Sequence, residues 1–176
     1  MRDARFETAV AEHSGKVHTF ATYLLGNAAE AEDVTQEVLI RLWTRITEID
    51  PQRVRPWLLR VTRNACIDQI RRRRRSAEVI PIRHPDAPPP DRPSPEPSPE
   101  QIAAGGQLGG AIAEALTRLS DNARGVVILR EVQGLSYAEI SEVMDLSVGS
   151  VRVMLHRGRR RLRELLKEVD PNVAAS

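Results

Sequence analysis

Six arginines and no acid fall between residues 152 and 163, in a stretch where Val151, Leu155, Leu162 and Leu165 recur at helical spacing. A helix of this pattern packs one apolar face and turns Arg152, His156, Arg157, Arg159, Arg160, Arg161 and Arg163 to solvent. Arginine presents a planar fork that pairs with guanine O6 and N7 in the major groove, a contact worth about 1–3 kcal/mol of discrimination, and cations beyond the first turns meet phosphate. Ser150, Arg152, Val153, His156 and Arg157 lie in the first two turns, with Arg160 one turn further on. Arg152 is the strongest candidate base reader. The competing reading is a helical hairpin with a basic solvent face.

A second basic stretch has a different make-up. Residues 53–75 carry nine arginines against one acid, Asp68, and Arg53, Arg55, Trp57, Arg60, Asn64, Asp68, Arg71 and Arg72 mix cations with an aromatic ring and an amide. Rings stack on exposed bases, amides read base edges and guanidinium groups hold the backbone, so this set suits an unstacked single strand. Core packing is an equal claim on Trp57. Further upstream, Asp33 and Glu37 stand four residues apart with Gln36 alongside and Arg41 one turn on, which gives a polar, acidic strip. Such a strip repels DNA, so it is either an ordinary solvated face or a contact for a protein partner.

Composition narrows the alternatives. The 176 residues include 26 cations against 24 acids, a net charge of +2, but 24 of the cations are arginine and residues 1–50 are net −4. Opposite signs on successive segments point to two contacts with one polyanion and a separate site for something else. The lone Cys66 excludes an internal disulfide or a multi-cysteine zinc site, and His13, His18, His84 and His156 show no ligand spacing, so no metal and no cofactor is expected. No P-loop or HExxH is present, and Gly105 to Gly110 (GGQLGG) lacks the lysine and preceding strand of a phosphate loop, so an enzyme is not expected. No apolar run reaches the roughly 20 residues that cross a bilayer, and the N-terminus lacks a signal-peptide core. The expectation is a cytoplasmic chain without membrane insertion, and no further domain after Ser176.

The positioning elements follow from periodicity. Val17, Phe20, Ala21, Leu24 and Leu25 form one amphipathic helix, stopped at Gly26-Asn27. A second runs from about Ala28 to Ile46, with Ala31, Val34, Val38, Leu39, Leu42, Trp43 and Ile46 on its apolar face. Residues 49–56 hold two prolines, and a third helix extends from about Pro56 to Arg75. Nine of the twelve prolines fall between Pro81 and Pro99, so residues 76–104 read as a disordered, polyproline-biased linker whose reach is at most roughly 85 Å. Beyond it come a short helix with Ile112, Ala115, Leu116 and Leu119, a helix capped by Ser120, and a capping box, Ser136 with Glu139, that opens Tyr137 to Met144. A tight turn at Asp145-Leu146-Ser147 leads into the basic helix, which completes a helix-turn-helix pattern. The fold class is all-α: two small helical domains, 1–75 and 105–176, joined by the linker.

AEDVTQEVLIRLW, then RPWLLRVTRNACIDQIRRRRR, then LREVQGLSYAEISEVMDLSVGSVRVMLHRGRRRLRELL, in this order, resemble a bacterial RNA polymerase sigma factor of the extracytoplasmic-function (ECF) class, within the sigma-70 superfamily. The resemblance implies a region 2 bundle that binds the clamp helices of core RNA polymerase and captures the melted, single-stranded minus 10 element, and a region 4 helix-turn-helix that reads duplex minus 35 DNA. It assigns Asp33, Gln36 and Glu37 to the clamp, Asn64 and the 49–56 loop to minus 10 DNA, and Arg152, Val153, His156 and Arg157 to minus 35 DNA. Val153 departs from the small polar residue often found there, which favours a thymine-methyl contact over a hydrogen bond. Ser120 stands where proline is common. An anti-sigma factor is implied as a further partner. Two rivals fit parts of the pattern: a free-standing regulator, which leaves the first arginine cluster unexplained, and a nucleic-acid enzyme, which lacks catalytic residues.

Overall fold

The computed structural model describes residues 1–78 and 109–169. Of the linker read as residues 76–104, residues 76–78 continue the third helix and the rest lies outside the described residues. All regular structure among them is helical, in two bundles.

In the first bundle, α1 (Arg2–Leu25) extends well upstream of the Val17–Leu25 stripe that marks it in the sequence. It stops at Gly26, whose φ of 65° is left-handed and whose N–H donates to the Thr22 carbonyl, a conformation that costs glycine no Cβ clash. Asn27 then caps α2 (Ala28–Arg45) by accepting from the Glu30 N–H. A single 3-10 turn, Pro51–Arg53, is capped by Asp50 and leads into α3 (Val54–Glu78), so Pro56 sits in the first turn of the helix rather than at its first residue. Phe20, Leu24, Val38, Leu42, Ile46, Leu58, Leu59 and Cys66 fill the space between the three helices.

The second bundle begins with α4 (109–117), which buries Ala115 and Leu116. Ser120 caps α5 (Asp121–Glu131), and the Ser136–Glu139 capping box opens α6 (Tyr137–Met144) with both reciprocal hydrogen bonds formed. Asp145 takes the left-handed conformation at the end of α6, with φ 55°. The basic helix, α7 (Val148–Val169), follows at once. It lies close against α5 because Gly158 has no side chain: a Cβ there would meet Val127 Cγ2 at 2.8 Å.

The two bundles touch. Arg124, Gly125, Val126, Val127, Ile128 and Leu129 are all buried, and six consecutive residues of a helix point in every direction around its axis. Thus α5 is covered by its own bundle on one side and by α1 on the other, and α6 packs along α3. Arg124 is the least expected member of this core, at 7% exposure. Its guanidinium donates to the carbonyls of Leu116 (2.7 Å), Thr117 (2.7 Å) and Leu119 (3.3 Å), at and just beyond the end of α4, and across the boundary to Leu24 at the end of α1 (2.6 Å). A cation at two helix C-termini faces the negative ends of both dipoles.

Candidate nucleic-acid interface

The basic helix α7 is held by its apolar face, with Val151, Leu155 and Leu165 buried. Ser147 starts it: its hydroxyl oxygen accepts from the Ser150 N–H at 3.1 Å and stands 2.8 Å from the Ser150 hydroxyl. Ser150 is therefore tied to the turn. Arg152, Val153, His156, Arg157 and Arg160 are all exposed, and Val153 offers a solvent-facing apolar group at 49% exposure. Arg152 lies over the Tyr137 ring, 5.8 Å from its centroid, while Arg157 and His156 make no ion pair among the described residues. Arg159 and Arg160 are engaged by Glu131 and Glu164, at 2.7 and 3.1 Å. Of the α7 arginines, Arg152 and Arg157 in the second and third turns and Arg163 further on make no ion pair among the described residues, and the first two lie where a helix meets a major groove.

On α3, helical periodicity sets Trp57, Arg60, Asn64, Asp68 and Arg71 along one stripe. Arg60, Asn64, Asp68, Arg71 and Arg72 are exposed, and Trp57 is half-buried at the rim of an open cavity of about 360 Å³ that it shares with Arg53 and Arg60. Trp57 therefore belongs to both a core edge and an accessible pocket. Asp68 stands 3.8 Å from Arg71, and Arg63 donates to the Asn64 side-chain oxygen at 3.3 Å. Arg53 and Arg55 are not free: Arg53 pairs with Glu142 and Arg55 donates to the Gln133 carbonyl at 2.5 Å, both in the second bundle. The structure keeps one part of the sequence-derived set open and engages the other.

Asp33, Gln36, Glu37 and Arg41 are all exposed on α2, opposite the buried Ala31, Val34, Val38 and Leu42. Glu37 accepts from Arg41 at 2.5 Å. Two apolar residues complete this surface. Ile40, missed in the sequence reading, is 66% exposed one turn beyond Gln36 and Glu37; its signal was an isoleucine off the core stripe. Trp43 was placed on the core face, but is 39% exposed: it lies at the core edge, where Phe6 meets its ring edge-on at 5.0 Å and Arg2 stands over it at 4.4 Å. An acidic strip with a bare isoleucine at its centre has the composition of a protein contact, in which an apolar anchor is ringed by polar groups.

Residues 9–76 match Sigma-70 region 2, and residues 109–162 match Sigma-70, region 4. Along the chain, 36% of 172 residues are identical to the ECF RNA polymerase sigma factor SigE of Mycolicibacterium smegmatis, covering 97% of this chain and 65% of that protein. SigW of Bacillus subtilis is 30% identical over 93% of this chain and 90% of its own length. The chain belongs to the ECF class of RNA polymerase sigma factors.

The fold agrees with solved members. Bartonella quintana RpoE, crystallised with the anti-sigma factor NepR, superposes with a TM-score of 0.73 at 24% identity, covering 95% of this chain and 98% of that one. CnrH, in complex with the cytosolic domain of CnrY, gives 0.67 at 25% identity over 94% and 88%. In this sigma factor α1–α3 form region 2 and α4–α7 carry region 4. No helix among the described residues is long and apolar enough to cross a membrane.

Proposed function

We propose that this chain is a dissociable promoter-recognition subunit of RNA polymerase, acting in the cytoplasm without catalysing a reaction itself. Region 2, residues 1–75, holds the clamp helices of core polymerase through Asp33, Gln36 and Glu37, flanked by Arg41 and anchored by Ile40. Its α3 stripe of Trp57, Arg60, Asn64, Asp68, Arg71 and Arg72, with Arg53 and Arg55 at the near end, captures unpaired minus 10 bases. Region 4, residues 105–176, lays α7 in the major groove of the minus 35 element, where Arg152, Val153, His156 and Arg157 face base edges and Ser150 and Arg160 flank them. Residues 76–104 tether the two, so each contact raises the effective concentration of the next.

The single observation that carries this reading is the pairing of two separately exposed basic faces, on α3 and α7, with an acidic face on α2 that points away from both sets of core residues. A free-standing regulator needs only α7. An anti-sigma chain completes the proposal; CnrH is held by the cytosolic domain of CnrY, and a comparable partner here covers the acidic strip or pins the two regions together.

The test is binding of the full chain to purified core polymerase. Replacing Asp33 and Gln36 together by alanine is expected to weaken binding at least tenfold, as loss of about 1.4 kcal/mol requires, with the helical content unchanged. Undiminished binding removes the acidic strip from the proposal.

A further inference from the structure

Tyr137 opens α6, and two features fix its place: the Ser136–Glu139 box sets the start of the helix, and the ring packs against the edge of the region 4 core. Two guanidiniums share this one ring. The Arg130 head lies 5.1 Å from its centroid and the Arg152 head 5.8 Å. Their other ties differ. Arg130 donates to the Leu135 carbonyl at 2.7 Å and is anchored to the loop before α6. The Arg152 side chain makes no ion pair and no hydrogen bond among the described residues.

An arginine on an exposed helix face spreads over many rotamers, and fixing one of them on a base costs that entropy at the moment of docking. A ring beside the head removes part of the cost beforehand. The attraction acts between the ring quadrupole and the cationic charge, so the N–H donors stay open, whereas a carboxylate would occupy them. Arg159 and Arg160, held by Glu131 and Glu164, are the second case. The hold must also yield when a base arrives. Arg130 sets that limit, because two like charges on one ring repel each other. With Arg130 tied to a carbonyl, Arg152 is the head that can leave.

We infer that Tyr137 is a positioning residue for Arg152: its ring gathers the guanidinium near the start of α7 with the fork unoccupied, and so sharpens discrimination at a guanine that Tyr137 itself does not touch. The inference rests on the reading of Arg152 as a base reader given above, and adds the residue that presents it.

Holoenzyme assembled from core polymerase and the full chain supplies the test, on a promoter fragment mapped by transcript 5′ ends. The readout is the ratio of its affinity for that fragment to its affinity for the same fragment with one minus 35 guanine replaced by 7-deazaguanine, which lacks N7 and keeps its base pair. At the guanine that Arg152 reads, the parent ratio is expected to be about ten, and Arg152→Ala is expected to bring it to about one. Tyr137→Leu keeps an apolar side chain and removes the quadrupole. Its ratio is expected to fall about threefold, with the salt dependence of the affinity unchanged because no phosphate contact is lost. Tyr137→Phe keeps the ring and is expected to keep the parent ratio. In an Arg152→Ala background, Tyr137→Leu should not move the ratio further. Loss of folding alone lowers both affinities together and leaves the ratio where it was. A full parent ratio in Tyr137→Leu overturns the positioning role and leaves Arg152 as the reader. A fall in Tyr137→Phe as large as in Tyr137→Leu also overturns it, since the hydroxyl and not the ring would then matter. If no minus 35 guanine gives a ratio that Arg152→Ala abolishes, the base-reading role of Arg152 has itself failed, and the inference falls with it.

Discussion

The two arginine-rich helices of this sigma factor look alike in sequence and differ in what their cations do. On α3, Arg55, Arg63, Arg73 and Arg74 are engaged, as is Arg53 in the turn before it, while Arg60, Arg71 and Arg72 stay exposed: Arg73 pairs with Glu30 and donates to the Leu25 carbonyl at 3.2 Å, and the other engaged arginines reach across to region 4. On α7 the second and third turns leave Arg152, His156 and Arg157 exposed, and the engaged arginines, Arg159, Arg160 and Arg161, follow them. A guanidinium tied to a carbonyl or carboxylate positions a helix. One resting over a ring near the start of a helix, as Arg152 does, is available to a base. Count and spacing of arginines do not distinguish the two cases; the distinction lies in which neighbour each fork can reach.

Three substitutions sharpen that contrast, the largest first. Arg124 is the extreme positioning cation, and Arg124→Met leaves the Leu24, Thr117 and Leu119 carbonyls without that donor, while Leu116 keeps the Leu119 N–H. The substitution is expected to cost about 3 kcal/mol of stability in urea unfolding, since orphaned buried acceptors carry most of that penalty. A change below about 1 kcal/mol would mean that water replaces the guanidinium.

Arg152→Ala should behave in the opposite sense. Folding stability should stay within about 0.5 kcal/mol, while discrimination between the correct minus 35 duplex and a single-base variant falls by about 1–3 kcal/mol, read by titration at fixed salt. If affinity dropped equally for both duplexes, Arg152 would be a phosphate contact and the contrast with later α7 arginines would disappear.

The third change probes how α7 is presented rather than what it carries. Ser136→Ala removes the cap of α6 and is expected to cost about 1 kcal/mol. The loss should depend on pH. Glu139 is held below its ordinary value of 4.5, first by the hydrogen bond from the Ser136 backbone and then by its side chain. A depressed carboxyl contributes its full increment above its unfolded value and loses it as pH falls through the folded one. Alanine keeps the backbone N–H and loses only the hydroxyl, so the gap between parent and variant should narrow by the smaller, side-chain share below pH 4.5 and be constant near neutrality.

Most helices were legible because their signals are local. The apolar stripes of α2, Trp43 apart, and of α7, the Ser120 cap and the Ser136–Glu139 box each draw on residues within one or two turns, and each appears where it was expected. The candidate site was legible in part. Asp33, Gln36 and Glu37 emerge together on one exposed face, as do Arg60, Asn64, Asp68 and Arg71. The misses are mostly long-range. The upstream turns of α1 were missed although Phe6, Ala9 and Val10 lead into Val17 at helical spacing; they are held by the Trp43 ring and by the Ile49 carbonyl, which accepts from Arg5 at 2.8 Å. Arg124 resembled any surface cation until the ends of α4 and α1 met around it, and Glu142 gained meaning only when α6 was laid along α3.

The central claim is that this chain gives core polymerase a promoter address. Purified core polymerase, the full chain and fragmented genomic DNA, followed by sequencing of transcript 5′ ends, test it most directly. The account predicts discrete start sites that appear only with the chain present and share two short upstream elements about two helical turns apart. Start sites unchanged by adding the chain at low salt would contradict it.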